Sequence, residues 1–111
     1  MTARSDVLRG TLDLMILQTL ELRPLHGSGI AARLEQVTGG AVDVGPGSLF
    51  PALYRLEHKG FVRGSWGESE RGRRARFYTL TAAGRKRLGV EKENWDRVAL
   101  AMARILESGR S

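Results

Sequence analysis

The sequence predicts a mainly α fold carrying one small β-hairpin and ending in a long helix. Three observations predict it. Apolar residues recur at helical spacing in three successive segments before residue 60. Across residues 61–66 and 75–80 the period falls to two, in stretches rich in aromatic and β-branched side chains. Helical spacing then returns from Thr81 to about Leu106 with no proline to interrupt it.

The first helix is expected from about Asp6 to Leu22, with Leu8, Leu12, Met15, Ile16 and Leu20 on its inward stripe, and Pro24 stops it. Leu25-His26-Gly27-Ser28 reads as a turn whose serine caps a second helix. Ile30, Leu34 and Val37 face that helix inward, and Gly39-Gly40 closes it. Residues 41–44 alternate and suggest a very short strand. The third helix is expected from Ser48 to Lys59, with Leu49, Leu53 and Leu56 forming its apolar back. Stepping about 100° per residue from Leu53, the positions pointing away are Ser48, Pro51, Arg55, His58 and Lys59, with Tyr54 on the flank. None of these is acidic. Ser48 is read as the N-cap, Pro51 as a first-turn residue and Gly60 as the C-cap.

Two short helices joined through glycines and covered by a third make a helix-turn-helix core. The strands 61–66 and 75–80, joined by the polar segment Gly67 to Arg74, add a hairpin beside it: the arrangement of a winged helix-turn-helix. Thr81 caps the last helix, which at about 1.5 Å per residue is too long for so small a core to cover. Leu88, Trp95 and Met102 lie seven apart, and Val98, Ala99, Ile105 and Leu106 fill alternate positions, giving a heptad seam. Such a seam wants a second copy of the chain. The expected division is a winged helix-turn-helix at residues 1–80 and a dimerisation helix at 81–111.

The charge is placed unevenly. The 111 residues carry 18 Lys and Arg against 12 Asp and Glu, a net +6. Residues 61–87 hold eight of those cations (Arg63, Arg71, Arg73, Arg74, Arg76, Arg85, Lys86 and Arg87) against Glu68 and Glu70 only, so the whole surplus sits there. A basic hairpin is an electrostatic footprint for a polyanion, since crowded arginines repel one another until phosphates neutralise them. Other classes lack their chemistry. With no cysteine there is neither a disulfide frame nor a thiolate metal site. His26 and His58 lie far apart without partners at ligand spacing, so no metal and no cofactor are expected. No nucleophile is paired with a base, no glycine-rich phosphate loop follows a strand, and no carboxylate pair sits in an apolar setting, so an enzyme is not expected. The N-terminus shows no apolar core followed by a cleavage site, and the longest apolar run there is Leu14 to Leu17, so the expectation is a soluble cytoplasmic protein with no membrane partner.

Four stretches together resemble the PadR-like transcriptional regulators, in the short form with a single C-terminal dimerising helix. They are Leu12-Asp13-Leu14-Met15-Ile16-Leu17, Pro24-Leu25-His26-Gly27, residues 47–57 (Gly-Ser-Leu-Phe-Pro-Ala-Leu-Tyr-Arg-Leu-Glu) and residues 73–85, from Arg73 to Arg85. Together they cover nearly the whole winged-helix domain, in the family's order. The resemblance implies a dimeric winged helix-turn-helix repressor on a pseudo-palindromic operator, released by a small molecule. Two positions depart from the family pattern: Ser28 and Phe50 stand where tyrosines are usual, so no phenolic contact is carried over to either.

The expected partners are double-stranded DNA, a second copy of the chain, and a small planar aromatic effector. The expected DNA-binding residues are Gly47, Ser48, Pro51, Tyr54, Arg55, Arg71, Arg73, Arg74 and Arg76. Gly47 and Ser48 suit phosphate, Arg55 a base edge or a phosphate, and the hairpin arginines the backbone or minor groove. Tyr54 reads equally as a half-buried core flank, and Arg76 as a brace for the domain. The expected dimer seam is Leu88, Trp95, Val98, Ala99, Met102, Ile105 and Leu106. Within it Trp95 and Met102 either fill the interface core or line a slot for the flat ligand. A rival reading keeps the winged helix as a ligand-binding or protein-interaction module that does not read DNA.

Overall fold

The computed structural model describes the backbone of residues 2–109 and the side chains of residues 10–109. The chain folds as α1 (Thr2–Thr19), β1 (Leu25–His26), α2 (Gly27–Val37), α3 (Pro46–His58), β2 (Val62–Glu68), β3 (Arg74–Leu80) and α4 (Ala82–Ser108). Helix α1 starts four residues earlier than its periodicity indicates and ends three residues earlier, leaving Leu22 85 % exposed. The inward placing of Leu8 lies outside the described side chains.

One core joins all these elements. Ile16, Leu17 and Leu20 of α1 meet Ile30 and Leu34 of α2, and Leu49, Ala52, Leu53 and Leu56 of α3, with Val62, Tyr78, Leu80 and Leu88 completing the cluster. Each fully buried Leu or Ile contributes about 1.5–3 kcal/mol relative to an exposed one, so the pattern of inward stripes decides how the helices dock. Val37 does not take part: it is 65 % exposed, because α2 ends there and its last turn has moved past the core.

Two local readings change. Leu25–His26, expected as a turn, is a strand, and it pairs antiparallel with β3 through Leu25 to Tyr78 and His26 to Phe77. The sheet therefore has three strands in the order β1-β3-β2, and residues 41–44 form no strand. The cap of α2 is His26 and not Ser28, with His26 Nδ1 accepting the Gly29 N–H at 2.9 Å. The imidazole does what the serine was expected to do because the strand ends one residue before the helix starts, which puts position 26 at the N-cap.

The hairpin is longer and its loop tighter than the sequence suggests. β2 and β3 pair in unbroken register from Val62–Leu80 to Glu68–Arg74, leaving only residues 69–73 as loop. That loop closes through Ser69 N–H to Arg73 O at 2.8 Å and Gly72 N–H to Ser69 O at 2.9 Å, with Gly72 at φ 72° supplying the left-handed turn residue.

Helix α4 begins as expected. Thr81 Oγ1 accepts the Gly84 N–H at 3.0 Å, and the Thr81 hydroxyl donates to Gly60 O at 2.6 Å. Its 27 residues extend about 40 Å. Only Gly84 and Leu88 of α4 are buried. Leu88, expected on the dimer seam, is 1 % exposed inside the domain's own core, because the first two turns of α4 pack on α1 and the start of β2.

Candidate nucleic-acid interface

Helix α3 is built to present its front face. Gly45 is the N-cap with no side-chain capping bond, and Pro46 takes the first helical position, so the helix starts two residues before Ser48. Ser48 and Leu49 N–H both bond to Gly45 O at 3.1 and 3.0 Å. Pro46 has no N–H, so Gly47 holds the first-turn amide left without an internal acceptor among the described residues. Ser48 is thus an exposed first-turn residue and not the cap. Pro51 lies inside the helix, not in its first turn, and its missing N–H leaves Gly47 O without the usual intrahelical donor.

The helix ends in a Schellman arrangement. Gly60 at φ 78° donates to Glu57 O at 3.0 Å, and Phe61 N–H donates to Leu56 O at 2.9 Å. This turn sends the chain straight into β2.

The exposed face carries Gly47, Ser48, Phe50, Pro51, Tyr54 and His58. Tyr54 is 73 % exposed and lies parallel to His58, with ring centroids 6.3 Å apart. It is therefore not a core flank. Phe50 is 49 % exposed, with one edge lying over Gly27, where a Cβ would stand 2.8 Å from the ring. Arg55 points elsewhere. Its Nη2 pairs with Asp13 Oδ1 on α1 at 2.9 Å, and its Nε is buried without a partner among the described residues. The expected base or phosphate contact from Arg55 is replaced by a brace between α1 and α3, because Asp13 is turned toward α3 on the same helix that buries Ile16 and Leu17. Burial pushes the Asp13 carboxyl above its ordinary value of 3.8, and this outweighs the opposing pull of Arg55.

The hairpin arginines divide in two. Arg76 Nη2 meets Glu57 Oε2 of α3 at 2.5 Å, and Glu57 also accepts the Gly64 N–H at 3.3 Å, so Arg76 takes the bracing alternative and ties the hairpin to α3. Arg71, Arg73 and Arg74 are exposed and form no ion pair among the described residues. These three line one cleft of about 530 Å³ together with Phe50 of α3 and His26, Gly27 and Ser28 at the start of α2. Glu70 is the one acidic residue lining it. The fold thus places unpaired cations opposite the front of α3. Sequence reasoning missed the two carboxylates that hold Arg55 and Arg76. Asp13, the only charge in the apolar run from Leu12 to Leu17, was the visible signal for one; Glu57 carried none.

Along α4, Trp95 is 48 % exposed, Val98 53 %, Met102 51 %, Ile105 64 % and Leu106 60 %, and Ala99 is exposed as well. Val90 and Leu100, not part of the expected seam, are also exposed. Among the described residues no group of His, Cys, Asp or Glu is placed to hold a metal ion, and no helix is long and apolar enough to cross a membrane.

A three-helix core with a three-stranded sheet, a projecting basic hairpin and an open helix front defines a winged helix-turn-helix protein. Residues 16–90 match the Transcriptional regulator PadR-like family, and the chain belongs to that family. Its members are transcriptional regulators and not enzymes. The fold is similar to that of a transcriptional regulator from Clostridium thermocellum, with a TM-score of 0.80, 26 % identity, and 89 % of this chain and 96 % of that one covered. It is also similar to a PadR-like transcription factor from Bacteroides fragilis, with a TM-score of 0.79, 27 % identity, and 95 % and 99 % covered. A 37.1 kDa protein in transposon TN4556 of Streptomyces fradiae is 44 % identical over 95 residues, which is 86 % of this chain and 25 % of that protein. The chain thus spans about a quarter of the length of that relative.

Proposed function

We propose that the chain acts as a homodimeric repressor that binds a pseudo-palindromic operator in the cytoplasm and is released by a planar aromatic effector. The observation that carries the DNA-binding part is the cleft in which Arg71, Arg73 and Arg74 face Phe50 and the start of α2. Three cations that form no ion pair among the described residues, beside an exposed helix front, suit a duplex: the helix enters the major groove and the hairpin grips the adjoining backbone. Gly47 N–H and Ser48 meet phosphate, Pro51 and Tyr54 lie against the groove wall, and Arg55 and Arg76 hold the reading head rigid from behind.

Dimerisation rests on the second half of α4. Trp95, Val98, Ala99, Met102, Ile105 and Leu106 present an apolar face that the chain's own core leaves open. Pairing two copies through it spaces the two α3 helices for successive major grooves, about 34 Å apart. Trp95 and Met102 then offer the effector a flat, polarisable wall. The division into a reading domain at 1–80 and a dimerisation helix at 81–111 belongs to the same proposal, with Leu88 moved to the reading domain's core.

Selection of binding sites from random DNA by the purified chain, with sedimentation of the recovered complex, tests this directly. An inverted repeat bound by two copies is expected. A chain that remains monomeric at micromolar concentration, or that enriches no site, refutes it. Quenching of tryptophan fluorescence by planar aromatics without any DNA binding would favour the rival ligand-binding module.

A further inference from the structure

Trp66 is a large aromatic side chain that belongs neither to the core nor to the front of α3 nor to the exposed face of α4. It stands on β2 with 59 % of its surface exposed. The strand alternation puts Val62, Gly64 and Trp66 on one face, opposite Leu80, Tyr78 and Arg76 in register. At the base of the hairpin Val62, Tyr78 and Leu80 are buried. Farther out the same face leaves the core and carries Arg76, Trp66 and Arg74 instead.

These residues form a row that starts at the recognition helix. Arg76 reaches Glu57 of α3 and lies across Gly64, where a Cβ would stand 2.5 Å from its Nε. Its guanidinium carbon lies 5.9 Å from the centre of the Trp66 ring system, and that of Arg74 lies 4.9 Å from it. Glu57 neutralises Arg76. Arg74 keeps its full charge: Glu68 faces it in register, yet the two form no ion pair. An aromatic face steadies a guanidinium through its quadrupole without cancelling its charge. The outcome is a flat apolar surface with a held cation at its edge, on the limb that projects from the domain.

A deoxyribose–phosphate strand has the matching alternation, apolar sugar C–H faces between phosphate anions. We propose that Trp66 is a DNA-backbone contact, its exposed indole lying on a deoxyribose while Arg74, held against it, bonds the adjacent phosphate. The proposal rests on the DNA-binding reading above and adds a positioning residue that no charge count reveals. Because sugar and phosphate carry no sequence information, the contact strengthens every duplex alike.

The test measures binding of wild type, Trp66→Phe, Trp66→Ala and Arg74→Ala to the selected operator and to a scrambled duplex, with thermal unfolding to confirm that each variant folds. DNA should quench tryptophan emission in wild type, and this quench should disappear in Trp66→Phe, which retains Trp95. Trp66→Ala should lose about tenfold in affinity for both duplexes, leaving their ratio and the salt slope unchanged. Arg74→Ala should weaken both as well, but with a salt slope lower by about 0.9. If Trp66→Phe retains the quench and Trp66→Ala binds as wild type does, the proposal is overturned while the DNA-binding reading stands. If wild type binds neither duplex, the underlying reading has failed and takes this one with it.

Discussion

Two glycines in α4 should respond to the same substitution in opposite directions. At Gly84 an added Cβ would lie 1.9 Å from Phe61 O and 2.8 Å from Leu80 Cδ1. Phe61 O is backbone, fixed by the Schellman turn on one side and by the Thr81 N–H bond at 3.1 Å on the other. To bring the new contact even to about 3.0 Å, the root of α4 must move by more than 1 Å away from the start of β2, and this strains the Thr81 junction and opens the packing around Leu80 and Leu88. Overpacking of this kind costs about 1–3 kcal/mol or more, against which alanine recovers about 1 kcal/mol of helix propensity. A 1.9 Å approach to backbone puts the cost at the upper end of that range or above it, so Gly84→Ala should destabilise the fold by about 2 kcal/mol or more. At Gly89 nothing lies within 4 Å of the added Cβ, so the propensity gain stands alone. Gly89→Ala should stabilise by about 0.5–1 kcal/mol. Urea unfolding followed by circular dichroism, at one fixed protein concentration because association adds to apparent stability, measures both. Gly84→Ala matching wild type, or Gly89→Ala falling below it, would refute the account of how α4 is seated.

Leu88→Ala should cost about 2–5 kcal/mol in the same unfolding assay, as a core cavity does, whereas Ile105→Asp should leave the isolated domain's stability nearly unchanged and shift sedimentation toward monomer. Arg71→Ala combined with Arg73→Ala should weaken binding to all duplexes and lower the slope of log K against log salt by about 0.9 per lost phosphate contact; an unchanged slope would remove the hairpin tip from the interface. Asp13 makes a prediction in pH. Its folded-state carboxyl sits above 3.8, so between 3.8 and that raised value the folded chain binds more protons than the unfolded one. Its contribution to stability is then full below 3.8 and is lost as pH rises through the raised value. Asp13→Asn keeps an acceptor for Arg55 but should remove this slope, so the stability of wild type minus that of the variant should fall as pH rises across that interval. A difference that grows with pH would mean that the Arg55 pair, and not burial, dominates the site.

The elements most legible in the sequence were those whose signal is local. The apolar stripe of Leu49, Leu53 and Leu56, the hairpin alternation and the Thr81 cap are each decided within a few residues, and each appears as read; Gly60 ends α3 as expected but stands one place beyond the C-cap, Lys59. Boundaries shifted where a neighbouring element competes. Leu25–His26 is too short to announce itself as a strand and exists because β3 offers it a free edge, and that pairing moves the α2 cap from Ser28 to His26. The start of α3 moved to Pro46 because proline is suited to a first helical position.

By itself, the order of residues determined the class of fold, the basic hairpin, and a last helix longer than the core, since all three depend on composition and period. Tertiary structure decided which charges are available. Arg55 and Arg76 look no different from Arg71, Arg73 and Arg74 in the chain. Folding brings Asp13 and Glu57, 42 and 19 residues away, against the first two and leaves the other three without an ion pair among the described residues. Leu88 likewise repeats in step with Trp95 and Met102, but burial under α1 assigns it to the inside. Period and charge type are properties of neighbours along the chain; pairing and burial depend on residues distant in it, and only the packed fold supplies them.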